Sequence, residues 1–279
     1  MSFFEAIVLG IVQGLTEFLP ISSTGHLRIV PAFVGWDDPG SAFTAVIQLG
    51  TTVAVLIYFR EDLWRIARAF VRSLLKRPAE GDSPVDVRLG WYIVLGTIPI
   101  AILGVAFKHQ IEHGARNLYL IGSVLIVFAL VMVVAERVSR RQRRLEEINA
   151  RDGLLIGLAQ ALALVPGVSR AGATISAGLF RGFDREAAAR YSFLLSTPAI
   201  VAAALFELKG VADGSEHVHA SAGEGPPAIV AAFVVGLWSI RFLLRFVARH
   251  SLFAFVGYRI ALGALVLALT AGGAISAVP

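Results

Sequence analysis

The chain has 279 residues, of which 56% are hydrophobic and 16% charged, and its mean hydropathy is +0.73. A water-soluble fold of this length has too little interior for so much apolar sequence, so a lipid bilayer is the expected solvent and one bundle the expected architecture. The net charge of +5 falls in clusters between long Leu, Ile, Val and Ala runs, which argues against a basic nucleic-acid-binding domain, and the lack of cysteine excludes disulfides and thiolate metal sites.

The first stretch, 3–34, is apolar but interrupted by Pro, Gly, Ser and charged residues. Its start lacks Lys and Arg, its apolar run carries Gln13 and Glu17, and no small-residue cleavage site follows, so it does not read as a signal peptide. It reads as a helix–loop–helix element. A spanning helix needs about 20 mostly apolar residues. Six stretches meet this approximately: 43–59, 91–107, 118–135, 190–207, 227–244 and 252–277. A second broken stretch, 152–180, lies between the third and fourth. In lipid, broken backbone is tolerated where protein or a wet cavity satisfies it. The expected fold is therefore an all-α integral membrane protein with six transmembrane helices and two re-entrant helix–loop–helix elements.

Basic residues set the expected orientation. The 60–90 loop carries seven, from Arg60 to Arg88, and the 137–151 segment carries six, from Arg137 to Arg151. Both are expected on the cytoplasmic side, as are Arg241, Arg245 and Arg249. The 208–226 loop has only Lys209 against Asp213, Glu216 and Glu224, and is expected outside with both termini. His217 and His219 in that loop read as solvated residues rather than a metal site. Arg181, Arg185 and Arg190 read as interface anchors paired with Asp184 and Glu186.

A shift of 147 residues lays the two broken stretches on one another: Gly10 on Gly157, Gln13 on Gln160, Leu15 on Leu162, Ser22 on Ser169 and Gly25 on Gly172. The span 43–59 then falls on 190–206. The reading is one membrane domain built from repeat 1 (about 1–136), a basic linker (137–151) and repeat 2 (about 152–279). Three spans per repeat invert the second copy, so the two broken tips face each other near the bilayer middle.

The first tip runs from Gln13 through Glu17, Pro20, Ser22, Ser23, Thr24 and Gly25 to His26. Gln13 and Glu17 share a helix face. Pro20 and Gly25 are expected to stop the helix, and Ser22, Ser23 and Thr24 to cap the next one. The second tip supplies Pro166, Gly167, Ser169, Arg170, Gly172 and Thr174. Thr174 and Ser176 read as packing residues. Ionisable groups inside a membrane are costly and mark functional sites. Here they suit a pyrophosphate. Arg170 binds phosphate oxygens, helix N-termini offer free N–H groups, and Glu17 with Gln13 offers oxygen ligands for Mg²⁺ or Ca²⁺. Ser23 or His26 is the candidate nucleophile, or His26 the base for a hydroxyl or water. Plain capping by the serines and a structural Glu17–Arg170 pair are the bland alternatives.

The stretches Glu5–His26 and Pro166–Arg181, with Arg190–Pro198 after them, resemble the undecaprenyl-pyrophosphate phosphatase (bacitracin-resistance) family. The resemblance implies a bacterial inner-membrane hydrolase that converts undecaprenyl pyrophosphate to undecaprenyl phosphate for cell-wall synthesis, with a site reached from the periplasm. The family's glutamate-rich motif falls on Gln13 and Glu17, its hydroxyl and histidine positions on Ser22, Ser23, Thr24 and His26, and its second tip on Pro166, Gly167, Ser169 and Arg170. Gln13 departs from an all-glutamate motif, which makes Glu17 the main expected metal ligand. The expected partners are the polyprenyl pyrophosphate, membrane lipids and a second copy of the chain in a homodimer. A lipid flippase or secondary transporter is the alternative, because inverted repeats with broken helices also build transporters.

Overall fold

A computed structural model of the chain describes residues 1–76, 83–107, 116–212 and 224–278, with the side chains of 41 and 206–212 excepted. His217 and His219 lie outside the described residues. Among those described, eleven α-helices form and no strand does. In chain order they are α1 (Phe3–Phe18), α2 (Ser23–Val34), α3 (Gly40–Tyr58), α4 (Arg60–Leu74), α5 (Pro84–Ala106) and α6 (Leu118–Val138). Then come α7 (Ala150–Ala161), α8 (Arg170–Phe180), α9 (Arg185–Ala212), α10 (Gly225–Arg249) and α11 (Phe253–Ala271). Five of them (α5, α6, α9, α10 and α11) are long and apolar enough to cross a membrane, and α3 with α4 makes a sixth candidate bent by 74°. The chain is an all-α, multi-pass membrane protein.

Local chemistry explains where these helices begin. At α1, the Ser2 hydroxyl accepts from the Glu5 amide while the Glu5 carboxylate accepts from the Ser2 amide, so two orphan donors are satisfied reciprocally. The same box opens α7, with Asn149 and Asp152. The basic segment after residue 59 is not the loop expected. It holds α4, whose first turn carries Glu61 and Asp62 and whose last turn carries Arg72, matching the helix dipole. Ile66 and Ala69 face inward while Trp64 is exposed, so the charge pattern conceals an amphipathic helix.

Packing relies on close backbone approach. α1 and α3 both pack on α10, and α5 packs on α7. A methyl group at Gly10 would overlap the Ala228 carbonyl, one at Gly50 the Ile229 carbonyl, and one at Gly157 the backbone of Gly96. Small residues at these positions let helices touch where lipid supplies no hydrophobic drive between them. α9 packs against both α3 and α8, and α6 pairs with α11. The broken pairs α1–α2 and α7–α8 lie within this bundle.

At the basic end, ion pairs replace the expected anchors. Arg181 pairs with Asp152, Arg185 with Glu136 and Arg190 with Asp62, rather than with Asp184 or Glu186. Asp184 instead accepts from the Ala187 amide at the start of α9. Asp152 is wholly buried and receives Arg143 as well. Burial alone would raise its carboxyl, but hydrogen bonds from Arg143, Arg181 and the Asn149 amide hold it below the usual carboxylate range.

Candidate active site

The two broken tips meet. α1 ends at Phe18 and α2 starts at Ser23, and α7 gives way through a short 3-10 turn to α8 at Arg170. Ser22 and Ser169 occupy equivalent places and adopt nearly the same conformation, φ 79°, ψ 102° and φ 70°, ψ 115°. Positive φ costs a non-glycine residue about 1–3 kcal/mol and persists only where the surroundings impose it. Each serine caps its helix through the amide three residues on, that of Gly25 (3.4 Å) and that of Gly172 (3.2 Å). Gly25 is therefore not a helix breaker; it lies in the first turn of α2. Each capping bond satisfies one amide and leaves those of the preceding residues without an intrahelical acceptor, so both helices present an anion-binding end. Gly167 has φ +95°, and a side chain there would press on the Ile121 carbonyl, so glycine is required twice over.

Glu17 is the meeting point. One carboxylate oxygen pairs with the Arg170 guanidinium from the other tip. The second accepts from Ser23 Oγ at 2.6 Å and from Gln13 Nε2 at 3.1 Å. The Glu17 and Arg170 side chains are 5% and 17% exposed, so the pair is largely desolvated. Ser23 and Arg170 are half-buried and Thr24 is exposed, which opens the site on that side. Thr24 Oγ1 lies 3.3 Å from Ser22 Oγ, and Ser169 Oγ donates to the Leu19 carbonyl at 3.4 Å, tying tip to tip. Thr174 Oγ1 is 2.5 Å from Ser192 Oγ and serves packing. Ser176 Oγ is buried without a hydrogen-bond partner.

His26 is placed differently from the expectation that it would serve Ser23. Its Nδ1 lies 2.7 Å from the Ser22 carbonyl oxygen, which can only accept, so Nδ1 carries a hydrogen. In the neutral ring, Nε2 then accepts from the Tyr258 hydroxyl at 2.6 Å. The two rings stack at 8°. The hydroxyl of Ser23 thus has Glu17, not His26, as its proton acceptor.

A divalent cation can be tested against the donors present. Gln13 is 1% exposed, and its Oε1 has no hydrogen-bond partner. The amide cannot turn over to relieve this, because Nε2 is needed as the donor to Glu17. The orphaned oxygen belongs to the side chain that also binds the Glu17 carboxylate, and amide and carboxylate oxygens are the hard ligands that Mg²⁺ or Ca²⁺ takes. Among the described residues there is no cluster of three His, Asp or Glu that would hold a metal without the substrate.

Two residues of the site went unnoticed in the sequence: Tyr258 and Arg259, both on α11. Arg259 was legible in principle, as a single charge within the apolar run 252–277. Arg28 is also buried, anchoring α2 through Asp38 and the carbonyls of Arg116 and Ser276.

An all-α bundle that brings an acid, a hydroxyl and an arginine together between two broken helices defines a multi-pass membrane protein with a polar site in its interior. The family model described as bacitracin resistance protein BacA matches residues 6–265. A Nocardioides undecaprenyl-diphosphatase is 53% identical, with 99% of this chain and all of the relative aligned. One from Mycolicibacterium vanbaalenii is 50% identical over the full length of both. One from Thermobifida fusca is 51% identical over 99% of this chain and 93% of the relative. The chain belongs to the BacA bacitracin-resistance family.

Proposed function

We infer that this protein is an undecaprenyl-diphosphatase. It hydrolyses undecaprenyl pyrophosphate to undecaprenyl phosphate and inorganic phosphate, returning the lipid carrier to cell-wall synthesis. The observation that carries the reading is the Glu17–Ser23–Arg170 constellation joined across two tips, in a chain about half identical to proteins of that name over its whole length.

In the proposed mechanism, the terminal phosphate exchanges for Glu17 on the Arg170 guanidinium, whose planar fork matches two phosphate oxygens. The free amides at the starts of α2 and α8 add donors where charge accumulates. Ser23 Oγ attacks the terminal phosphorus and gives its proton to Glu17. The bridging P–O bond breaks and undecaprenyl phosphate leaves. Water then cleaves the phosphoserine, and inorganic phosphate departs. His26 becomes available for proton transfer once Tyr258 releases Nε2. Glu17, Gln13 and Ser23 would hold a Mg²⁺ or Ca²⁺ ion, which supplies charge neutralisation on the transferred group.

The two repeats, about 1–136 and 152–279, are proposed to be related by inversion, with α1–α2 and α7–α8 re-entering from opposite faces. Matching serine caps, and the packing of α1 on α10 where α7 packs on α5, support this. The basic 137–151 linker supports a cytoplasmic location for that end, with the site open to the periplasm of a bacterial inner membrane.

The test is phosphate release from undecaprenyl pyrophosphate by purified protein, with and without chelator, for wild type, Glu17→Ala, Arg170→Ala and Ser23→Ala. All three variants should lose turnover, and mass spectrometry of quenched wild type should find phosphate on Ser23. A fully active Ser23→Ala would remove the serine as nucleophile and leave an activated water. Lipid movement without hydrolysis would favour the transporter reading.

A further inference from the structure

Arg259 is the largest fully buried side chain described, with 0% exposure. Among the described residues, no carboxylate lies within ion-pair distance of it. Its donors go instead to backbone carbonyls. Nη1 donates to Pro20 and Val168, each at 3.1 Å, Nη2 to Gly167 at 2.7 Å, and Nε to Leu125 at 3.2 Å. Pro20 belongs to the first tip, Gly167 and Val168 to the second, and Leu125 to α6. A single cation on α11 therefore joins both tips to the bundle.

Three of these carbonyls, those of Pro20, Gly167 and Val168, are placed just before the two strained serines. Pro20 is two residues before Ser22, and Val168 is next to Ser169. Both serines sit at positive φ, and each starts the helix that carries a reactive group, Ser23 on α2 and Arg170 on α8. The tips also touch through Glu17–Arg170 and Ser169–Leu19, but of these contacts the Arg259 bonds alone fix the backbone of both loops to the surrounding bundle. The planar, five-donor guanidinium reaches all four carbonyls at once; an ammonium, with three donors on one atom, does not. A buried, unneutralised charge is costly, so a site that needed only volume would be filled by an apolar side chain.

We propose that Arg259 is a positioning residue of this phosphatase, a buried cation that holds both tips so that Ser23 and Arg170 face the same phosphate. The inference rests on the site reading given above. Tyr258, the preceding residue on α11, also reaches the first tip, at His26.

The experiment compares Arg259→Gln and Arg259→Lys with wild type, Glu17→Ala and Arg170→Ala as full-length protein in detergent. Each is measured for kcat and KM on undecaprenyl pyrophosphate and for hydrogen–deuterium exchange in segments 20–26 and 166–173. A displacement of about 1 Å costs roughly 100-fold in rate. Folded Arg259→Gln should therefore lose about that in kcat and exchange faster in both segments together, while Arg259→Lys falls between it and wild type. A merely structural role would lower yield and thermal midpoint but leave kcat, KM and tip exchange of the folded protein unchanged; that result overturns the proposal. If Arg259→Gln does not fold, Arg259→Lys decides: wild-type kcat and exchange overturn it, and a reduced kcat with faster exchange in both tips supports it. Normal turnover by Glu17→Ala and Arg170→Ala would sink the site reading itself, which is a distinguishable failure.

Discussion

Removing Arg170 should destabilise the protein more than removing Arg170 and the Glu17 charge together. The Glu17 carboxylate is 5% exposed and takes three side-chain donors, of which only Arg170 is charged. Breaking a buried pair by deleting one partner typically costs about 3–5 kcal/mol, because the other charge is left uncompensated. Here Ser23 and Gln13 remain. Hydrogen bonds to a charged group contribute about 1.5–3 kcal/mol each, so Arg170→Ala belongs at the low end, about 3 kcal/mol. Adding Glu17→Gln removes the stranded charge and keeps the shape, and should recover about 1–2 kcal/mol of that loss. The assay is the unfolding midpoint of purified variants in one detergent, followed by tryptophan fluorescence, with phosphate release measured in parallel. Both variants should be inactive, with rates down by roughly a thousandfold or more for loss of the phosphate-binding arginine. A double variant less stable than Arg170→Ala, or an Arg170→Ala as stable as wild type, would refute the idea that the pair is desolvated.

Gly157→Ala puts a methyl group into the Gly96 backbone. It should lower stability by about 1–3 kcal/mol through forced separation of α5 and α7, read as a drop in thermal midpoint. Asp152 has its folded carboxyl held below the ordinary range, so its stabilising contribution is present above the unfolded value of about 3.9 and is lost as pH falls through the folded value. The midpoint should stay level in this respect from pH 8 to 5 and fall in stronger acid, and Asp152→Asn should remove part of that acid dependence. Chelation should abolish phosphate release and Mg²⁺ or Ca²⁺ restore it, with Gln13→Ala raising the cation concentration needed for half-maximal rate; unchanged demand in that variant would dismiss its orphaned oxygen as a ligand.

Much of this architecture is legible in the sequence. Apolar runs identify helices in lipid because a spanning backbone must satisfy itself internally, and the six expected stretches correspond to α3, α5, α6, α9, α10 and α11. The broken stretches are marked by Pro20 and Pro166, whose backbone limits are local, and by Ser22 and Ser169 as capping residues; the positive φ of both serines is imposed by their surroundings. The pairing of Gln13 with Glu17 also follows from helical spacing alone. The amphipathic α4 was obscured by its arginines, since charge density reads as a loop until the buried face is known.

By itself, then, the order of residues determined the membrane class, the interrupted elements and the chemical groups at their tips, because each depends on solvent, composition or neighbours within a turn or two. Tertiary structure alone decided who meets whom. It joins Ser23 to Glu17, His26 to Tyr258 across 232 positions, Arg190 to Asp62, and Arg259 to four carbonyls. Those partners are chosen by how helices cross: a spacing pattern shows that a helix has a buried face, but which distant face meets it depends on the packing of the whole bundle.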